Sequence, residues 1–203
     1  MISNELKSKP GEMTFKSQSP RSSIESNNTA LLLIDIQERL VNAIPNSKGL
    51  VNNVRKIVDS CSLLGVSIHI TEQNPEKLGE TVSSVLPKLE YIKYTKSSFS
   101  CIECLELIKK LKKDNIENIL ICGLESHICV LQSSLDLIRS GFNVYVIADS
   151  IKSRGSYDHE ISIARLRDSG AIISTTETTI FELCQSSANQ NFKSISQIIK
   201  RSE

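Results

Sequence analysis

Asn118-Ile119-Leu120-Ile121-Cys122-Gly123, followed six residues on by Cys129-Val130-Leu131, is the stretch that decides the fold. Its apolar run is continuous rather than alternating. That suits a strand covered on both faces of a parallel sheet. Beyond the turn, Leu131, Leu135 and Ile138 recur at helical spacing, and Gly141 stands at the stop position. The stretch therefore reads as strand, short turn and helix. The same reading extends outward in both directions. Aliphatic runs at residues 30–34, 66–71, 91–94, 142–148 and 171–174 predict five more strands. Between them lie helical stripes. Leu50, Val54, Ile57, Val58, Cys61 and Leu64 form one, closed by Gly65, and Cys101, Cys104, Leu105, Ile108 and Leu111 form another. Residues 157–169 end at Gly170, and a last short helix is expected near residues 193–199. Repeated helix-Gly-strand punctuation predicts βα units and an α/β fold. Residues 29–203 read as one domain. Residues 1–28 are polar, lack the apolar stretch of a secretory signal, and carry Glu5, Glu12 and Glu25, unlike an acid-poor transit peptide. They read as disordered or loosely packed.

Composition narrows the function classes. In 203 residues, 24 basic and 23 acidic side chains leave a net charge of +1, which argues against a nucleic-acid partner. Aromatics are 4% with no Trp, so the core is aliphatic and base-stacking platforms are not expected. No apolar run reaches the ~18–20 residues of a membrane span. The six cysteines, Cys61, Cys101, Cys104, Cys122, Cys129 and Cys184, read as reduced thiols of a cytoplasmic protein, because a chain of this size needs no staples.

Sites in open parallel sheets form at the carboxyl ends of the strands. Asp35 follows the first strand, Lys96 the third, and Cys129 the turn after the fourth. A carboxylate, an ammonium and a thiol thus converge on one sheet edge. The chemistry is coherent: a thiol attacks as a thiolate, a helix end and a cation favour that form, and a carboxylate moves the proton. Each residue also has a plainer role open to it. Asp35, with Glu38 three positions on, fits a capping box. Lys96 fits a solvated surface lysine, and Cys129 fits a small core residue.

Local motifs add a resemblance. Leu31-Leu32-Leu33-Ile34-Asp35-Ile36-Gln37, Thr71-Glu72-Gln73-Asn74-Pro75, Lys96-Ser97-Ser98-Phe99-Ser100 and Gly123-Leu124-Glu125-Ser126-His127-Ile128-Cys129-Val130 resemble the isochorismatase-like hydrolases. Asp149-Ser150, Ser153-Arg154, Arg165-Leu166 and Gly170-Ala171 continue the likeness, which runs from about Thr29 to Cys184. The resemblance implies a three-layer α-β-α sandwich, Rossmann-like, with a six-stranded parallel sheet. It also implies a catalytic triad: Asp35 as general base, Lys96 as the stabilising cation and Cys129 as nucleophile. Family members carry a non-proline cis peptide that by position joins Leu124 and Glu125. It aims backbone N–H groups, here of Glu125 and Cys129, at a developing oxyanion. The resemblance further implies a homo-oligomer and a substrate pocket involving Gln37, Gln73, Phe99 and His127.

Departures from the family's branches sharpen the expectation. The branch that cleaves the vinyl ether of isochorismate lacks the cysteine, so Cys129 argues for a different reaction. The metal-binding branch adds histidines after the second strand, and residues 71–89 contain none. His69 reads as a packed strand residue, His127 as structural or pocket wall, and His159 as lying on an exposed helix start. Cys101 and Cys104 read as core cysteines rather than half a metal site. No metal and no cofactor are expected. Two functions follow: a cysteine hydrolase acting on a carbon–nitrogen bond of a small molecule, or a catalytically retired binding or scaffolding module.

Overall fold

The computed structural model describes residues 24–201. Six parallel strands, β1 (Thr29–Ile34), β2 (Ser67–Gln73), β3 (Ile92–Lys96), β4 (Asn118–Leu124), β5 (Asn143–Lys152) and β6 (Ile172–Ser174), form one sheet in the order β3-β2-β1-β4-β5-β6. Eight helices accompany them among the described residues: α1 (Glu38–Ala43), α2 (Ser47–Leu64), α3 (Pro75–Leu78), α4 (Leu105–Lys113), α5 (Leu131–Arg139), α6 (Ser156–Asp168), α7 (Thr176–Cys184) and α8 (Phe192–Ile199).

β1 shows how the sequence builds three layers. Every residue in it is buried. Leu31 and Leu33 belong to the core shared with α1, α2, α7 and α8, while Ala30, Leu32 and Ile34 belong to the core shared with α4, α5 and α6. A side-chain period of two on a sheet with both faces covered gives this continuous apolar run. The stripe of α2 faces the first core, and the left-handed Gly65 closes the helix, with its own N–H and that of Val66 on the Cys61 carbonyl.

Several expectations shift at the edges. The strand expected at residues 91–94 runs as Ile92–Lys96, and only Tyr94 and Lys96 are buried, because β3 is an edge strand with one solvated flank. The stripe through Cys101, Cys104 and Leu105 does not form as one helix. Cys101–Glu103 is a 3₁₀ turn, α4 starts at Leu105, and Leu107 and Leu111 are its buried residues. Both cysteines are buried in the turn that precedes the helix. Asp35 caps nothing: the residue before α1 is Gln37, with no side-chain cap. Residues 1–23 of the polar leading segment lie outside the described residues. Of its remainder, Ile24 packs into the first core, and Asn28 accepts from the Asn118 amide and the Glu25 N–H.

Where β4 ends, its backbone passes so close to β1 that no side chain fits. Gly123 has φ +148°, and a Cβ there would lie 2.2 Å from the Ile34 carbonyl oxygen. Beside it, the β4–β5 ladder slips: Ile121 pairs with Val146, yet Gly123 pairs with Ile151. The intervening residues of β5 bulge out, and the strand rejoins to run alongside Leu124.

Candidate active site

The chain winds outward from β1 through β2 to β3, then crosses back to β4 on the other side of β1. The crevice at such a reversal is where parallel sheets hold ligands. Four strand ends supply the polar groups found there. Asp35, fully buried, stands just past β1 in the left-handed region at φ +52°, which aspartate tolerates better than most residues. Its N–H donates to the Thr71 carbonyl at 3.1 Å. Its Oδ1 accepts from Thr71 Oγ1 at 2.8 Å, and its Oδ2 accepts from Lys96 Nζ at 2.5 Å. Lys96 closes β3 and donates also to the Ser98 and Phe99 carbonyls, each at 3.2 Å. The ammonium's three protons therefore match three acceptors. The Cys129 thiol, 4% exposed, donates to Gln73 Oε1 at 3.5 Å and lies within electrostatic reach of the Asp35 carboxylate and the Lys96 ammonium. The structure thus brings Asp35, Lys96 and Cys129 together.

Electrostatics set the resting protonation. Burial raises the Asp35 pKa above its ordinary value, opposed by the charge and hydrogen bond of Lys96 and by bonds from Cys129 and Thr71. Burial and then the Asp35 charge push the Cys129 thiol up, with Lys96 and the Glu125 N–H pulling against them. One cation shared with a carboxylate does not outweigh desolvation of the sulfur, so the protonated thiol is favoured and the proton must pass to Asp35 as the sulfur attacks.

The turn carrying Cys129 begins at the Leu124–Glu125 peptide, which is cis. Residues Ser126–Val130 make a single wide turn leading into α5, with the Ile128 and Val130 N–H groups on the Glu125 carbonyl at 3.0 and 3.2 Å. The Glu125 N–H favours negative charge on the Cys129 sulfur.

The four residues assigned to a pocket divide. Gln73 touches the thiol and anchors its amide on the Ser97 carbonyl at 3.1 Å. Phe99 holds Lys96 through its carbonyl, while its side chain is half exposed. Gln37 is fully buried, and its side chain is engaged by backbone: Nε2 donates to the Gln73 and Gly79 carbonyls, and Oε1 accepts from the Gln73 N–H at 2.8 Å. It braces the loops after β1 and β2 rather than facing the thiol. His127 accompanies the turn, 2.9 Å from Ser153 Oγ.

Some residues around the site were given no role from the sequence, although Ser153-Arg154 stands in the stretch that resembles the family. His159, expected on an exposed helix start, is half-buried with Nδ1 2.9 Å from Ser126 Oγ. Arg154 reaches Glu125 through both its backbone N–H and its side chain. The bulge in β5 brings these partners in, and no local pattern encodes it. His69 is buried against Tyr94, with ring centroids 5.9 Å apart, and burial lowers its pKa to about 4. Among the described residues, no group of three or more His, Cys, Asp or Glu side chains is placed to hold a metal ion.

Known proteins resemble this chain in sequence and in fold. A family profile described as the isochorismatase domain matches residues 29–178. Isochorismatase family protein 1B of Dictyostelium discoideum is 37% identical over 178 residues, covering 85% of this chain and 86% of that one. Isochorismatase domain-containing protein 2A of Mus musculus is 35% identical over 172 residues, covering 84% and 82%. Among solved structures, the MAR1 ribonuclease of Caenorhabditis elegans superposes with a TM-score of 0.82 at 31% identity, covering 89% of this chain and 94% of that one.

Proposed function

The chain belongs to the isochorismatase family of hydrolases, and from that premise we propose that it is a cofactor-independent cysteine hydrolase that cleaves a carbon–nitrogen bond of a small amide. The observation that carries the reading is the buried Asp35–Lys96 pair beside the buried Cys129 thiol, which donates to Gln73 at the end of the neighbouring strand.

As the Cys129 sulfur attacks the substrate carbonyl, its proton passes to Asp35. A carbon–sulfur bond forms and the carbonyl electron pair moves onto oxygen. That oxyanion is received by the N–H groups of Glu125 and Cys129. When the pair returns, the carbon–nitrogen bond breaks and Asp35 hands its proton to the leaving amine. The thioester is then hydrolysed by a water that Asp35 deprotonates, and the departing sulfur recovers the proton from Asp35. Because the thiol rests protonated, base and nucleophile act together rather than in sequence. Lys96 keeps the carboxylate ionised and aimed. Gln73, Phe99 and His127 border the substrate. Leu124 and Glu125 supply the oxyanion peptide.

The test is a screen of small amides with mass-spectrometric trapping of an acyl adduct. The native protein is expected to accumulate the adduct on Cys129. Cys129→Ser and Cys129→Ala are expected to lose both the adduct and turnover, and full activity in Cys129→Ala would overturn the reading in favour of a retired module. RNA belongs in the same screen, since a relative 31% identical is described as a ribonuclease. RNA cleavage independent of Cys129 would count against the amide reading. We place the protein in the cytoplasm on its six free thiols. We further propose that it works as a homo-oligomer, because Phe99 and Leu105 near the lysine loop and Tyr157 and Ile161 on α6 leave large apolar side chains exposed.

A further inference from the structure

Three consecutive residues of the turn that bears Cys129 are each tied to one short segment after β5. Glu125 receives two bonds from Arg154: the backbone N–H on Oε2 at 3.0 Å and Nε–H on Oε1 at 2.8 Å. Ser126 Oγ meets His159 Nδ1 at 2.9 Å, and His127 Nδ1 meets Ser153 Oγ at 2.9 Å. Two of these partners, Ser153 and Arg154, stand between β5 and α6, and His159 lies in the first turn of α6.

We propose that Arg154 is a positioning residue for hydrolysis, clamping the nucleophile turn to the segment after β5 so that the Glu125 N–H and the Cys129 sulfur keep one fixed relation. The inference rests on the cysteine-hydrolase reading above. Glu125 is the member of the turn on which everything converges. Its carbonyl receives the N–H groups of Ile128 and Val130, its carboxylate is held by Arg154, and its N–H favours charge on the sulfur. A rotation of its backbone moves the oxyanion donor and the nucleophile together. The carboxylate is buried, whereas the Arg154 side chain is 61% exposed. An ion pair of that kind adds little to global stability, because solvent screens it and the long side chain loses entropy. Its two-point grip on a buried carboxylate adds directional constraint instead. The β5 bulge makes the grip possible, since it brings Lys152 beside Leu124 in the ladder and so sets Arg154 beside the turn.

Arg154→Ala separates positioning from stability. The expected result is a kcat lower by between about tenfold and a hundredfold with KM within about twofold. The melting temperature stays close to that of the native protein, and iodoacetamide alkylates Cys129 with a shifted pH profile. Arg154→Lys restores the charge without the planar Nε–H and recovers part of the loss. The double variant Glu125→Gln/Arg154→Ala is no slower than the worse single one, since both remove the same side-chain ion pair and leave the Arg154 backbone N–H in place. A wild-type kcat together with a wild-type alkylation profile in Arg154→Ala overturns the proposal. So does a rate that falls only in step with the melting temperature. Alkylation needs no substrate, so the clamp and the hydrolase reading fail separately. Full activity in Cys129→Ala removes the hydrolase reading, while the Arg154→Ala profile still decides whether the clamp sets the turn.

Discussion

Lys96 has two tasks at the residue scale, and they can be separated. Its charge lowers the Asp35 pKa that burial raises, and its protons satisfy three acceptors, the buried Asp35 carboxylate and two loop carbonyls. Lys96→Met leaves Asp35 as an uncompensated buried charge, expected to cost about 3–5 kcal/mol in chemical denaturation. Asp35→Asn/Lys96→Met is expected to be less destabilised than Lys96→Met, because no charge is stranded. The pH dependence has a definite sign. Asp35 accepts a proton only when ionised, and its pKa lies above the ordinary 3.8. Turnover in the native protein is therefore expected to fall, as pH drops, at a value above the ordinary carboxylate range. A rate profile that stays flat down to the ordinary value would contradict this. For stability the sign is opposite: the folded chain holds this proton more tightly than the unfolded one. The group therefore lowers stability as pH rises from the ordinary carboxylate value through the raised one. Asp35, Lys96 and Cys129 were all legible in the sequence because each stands where a strand ends. Gln37 was not legible as a brace, since nothing local says whether a side-chain amide faces a ligand or a carbonyl.

At the element scale, the clearest tests lie where periodicity and structure part. The spacing of Cys101, Cys104, Leu105, Ile108 and Leu111 fits a helix, but the chain makes a 3₁₀ turn first, which rotates the buried face onto Leu107. Leu105 is 66% exposed and Leu107 is fully buried. Leu105→Ser is thus expected to change the stability of the single chain by no more than about 0.5 kcal/mol, any larger effect acting through assembly. Leu107→Ala is expected to cost about 2–5 kcal/mol, both read from denaturant midpoints. Gly123 supplies the complementary case. Gly123→Ala puts a methyl group into the Ile34 carbonyl at a positive φ, so β4 must draw away from β1. The expected loss is at least about 1–3 kcal/mol, accompanied by a fall in turnover because the nucleophile turn follows directly. The six strands and the main helices were legible because apolar runs and glycine stops mark them. The β5 bulge was not, because a slip in register depends on a neighbouring strand.

On the scale of the whole molecule, the strand order gathers groups distant in sequence at one edge, and both faces of the sheet are covered by helices. Sedimentation equilibrium is expected to give a multiple of the chain mass, and a monomer at micromolar concentration would count against assembly. The three-layer plan was legible from continuous apolar strands, whereas surface association leaves no comparable periodic mark. All six cysteines are buried, in both layers and in the sheet between them. The chain thereby carries its own set of stopwatches. Under pulsed labelling the thiols outside the site are silent until their surroundings open, so the order in which Cys61, Cys104, Cys122 and Cys184 become reactive times the parting of one layer from the other without any engineered probe.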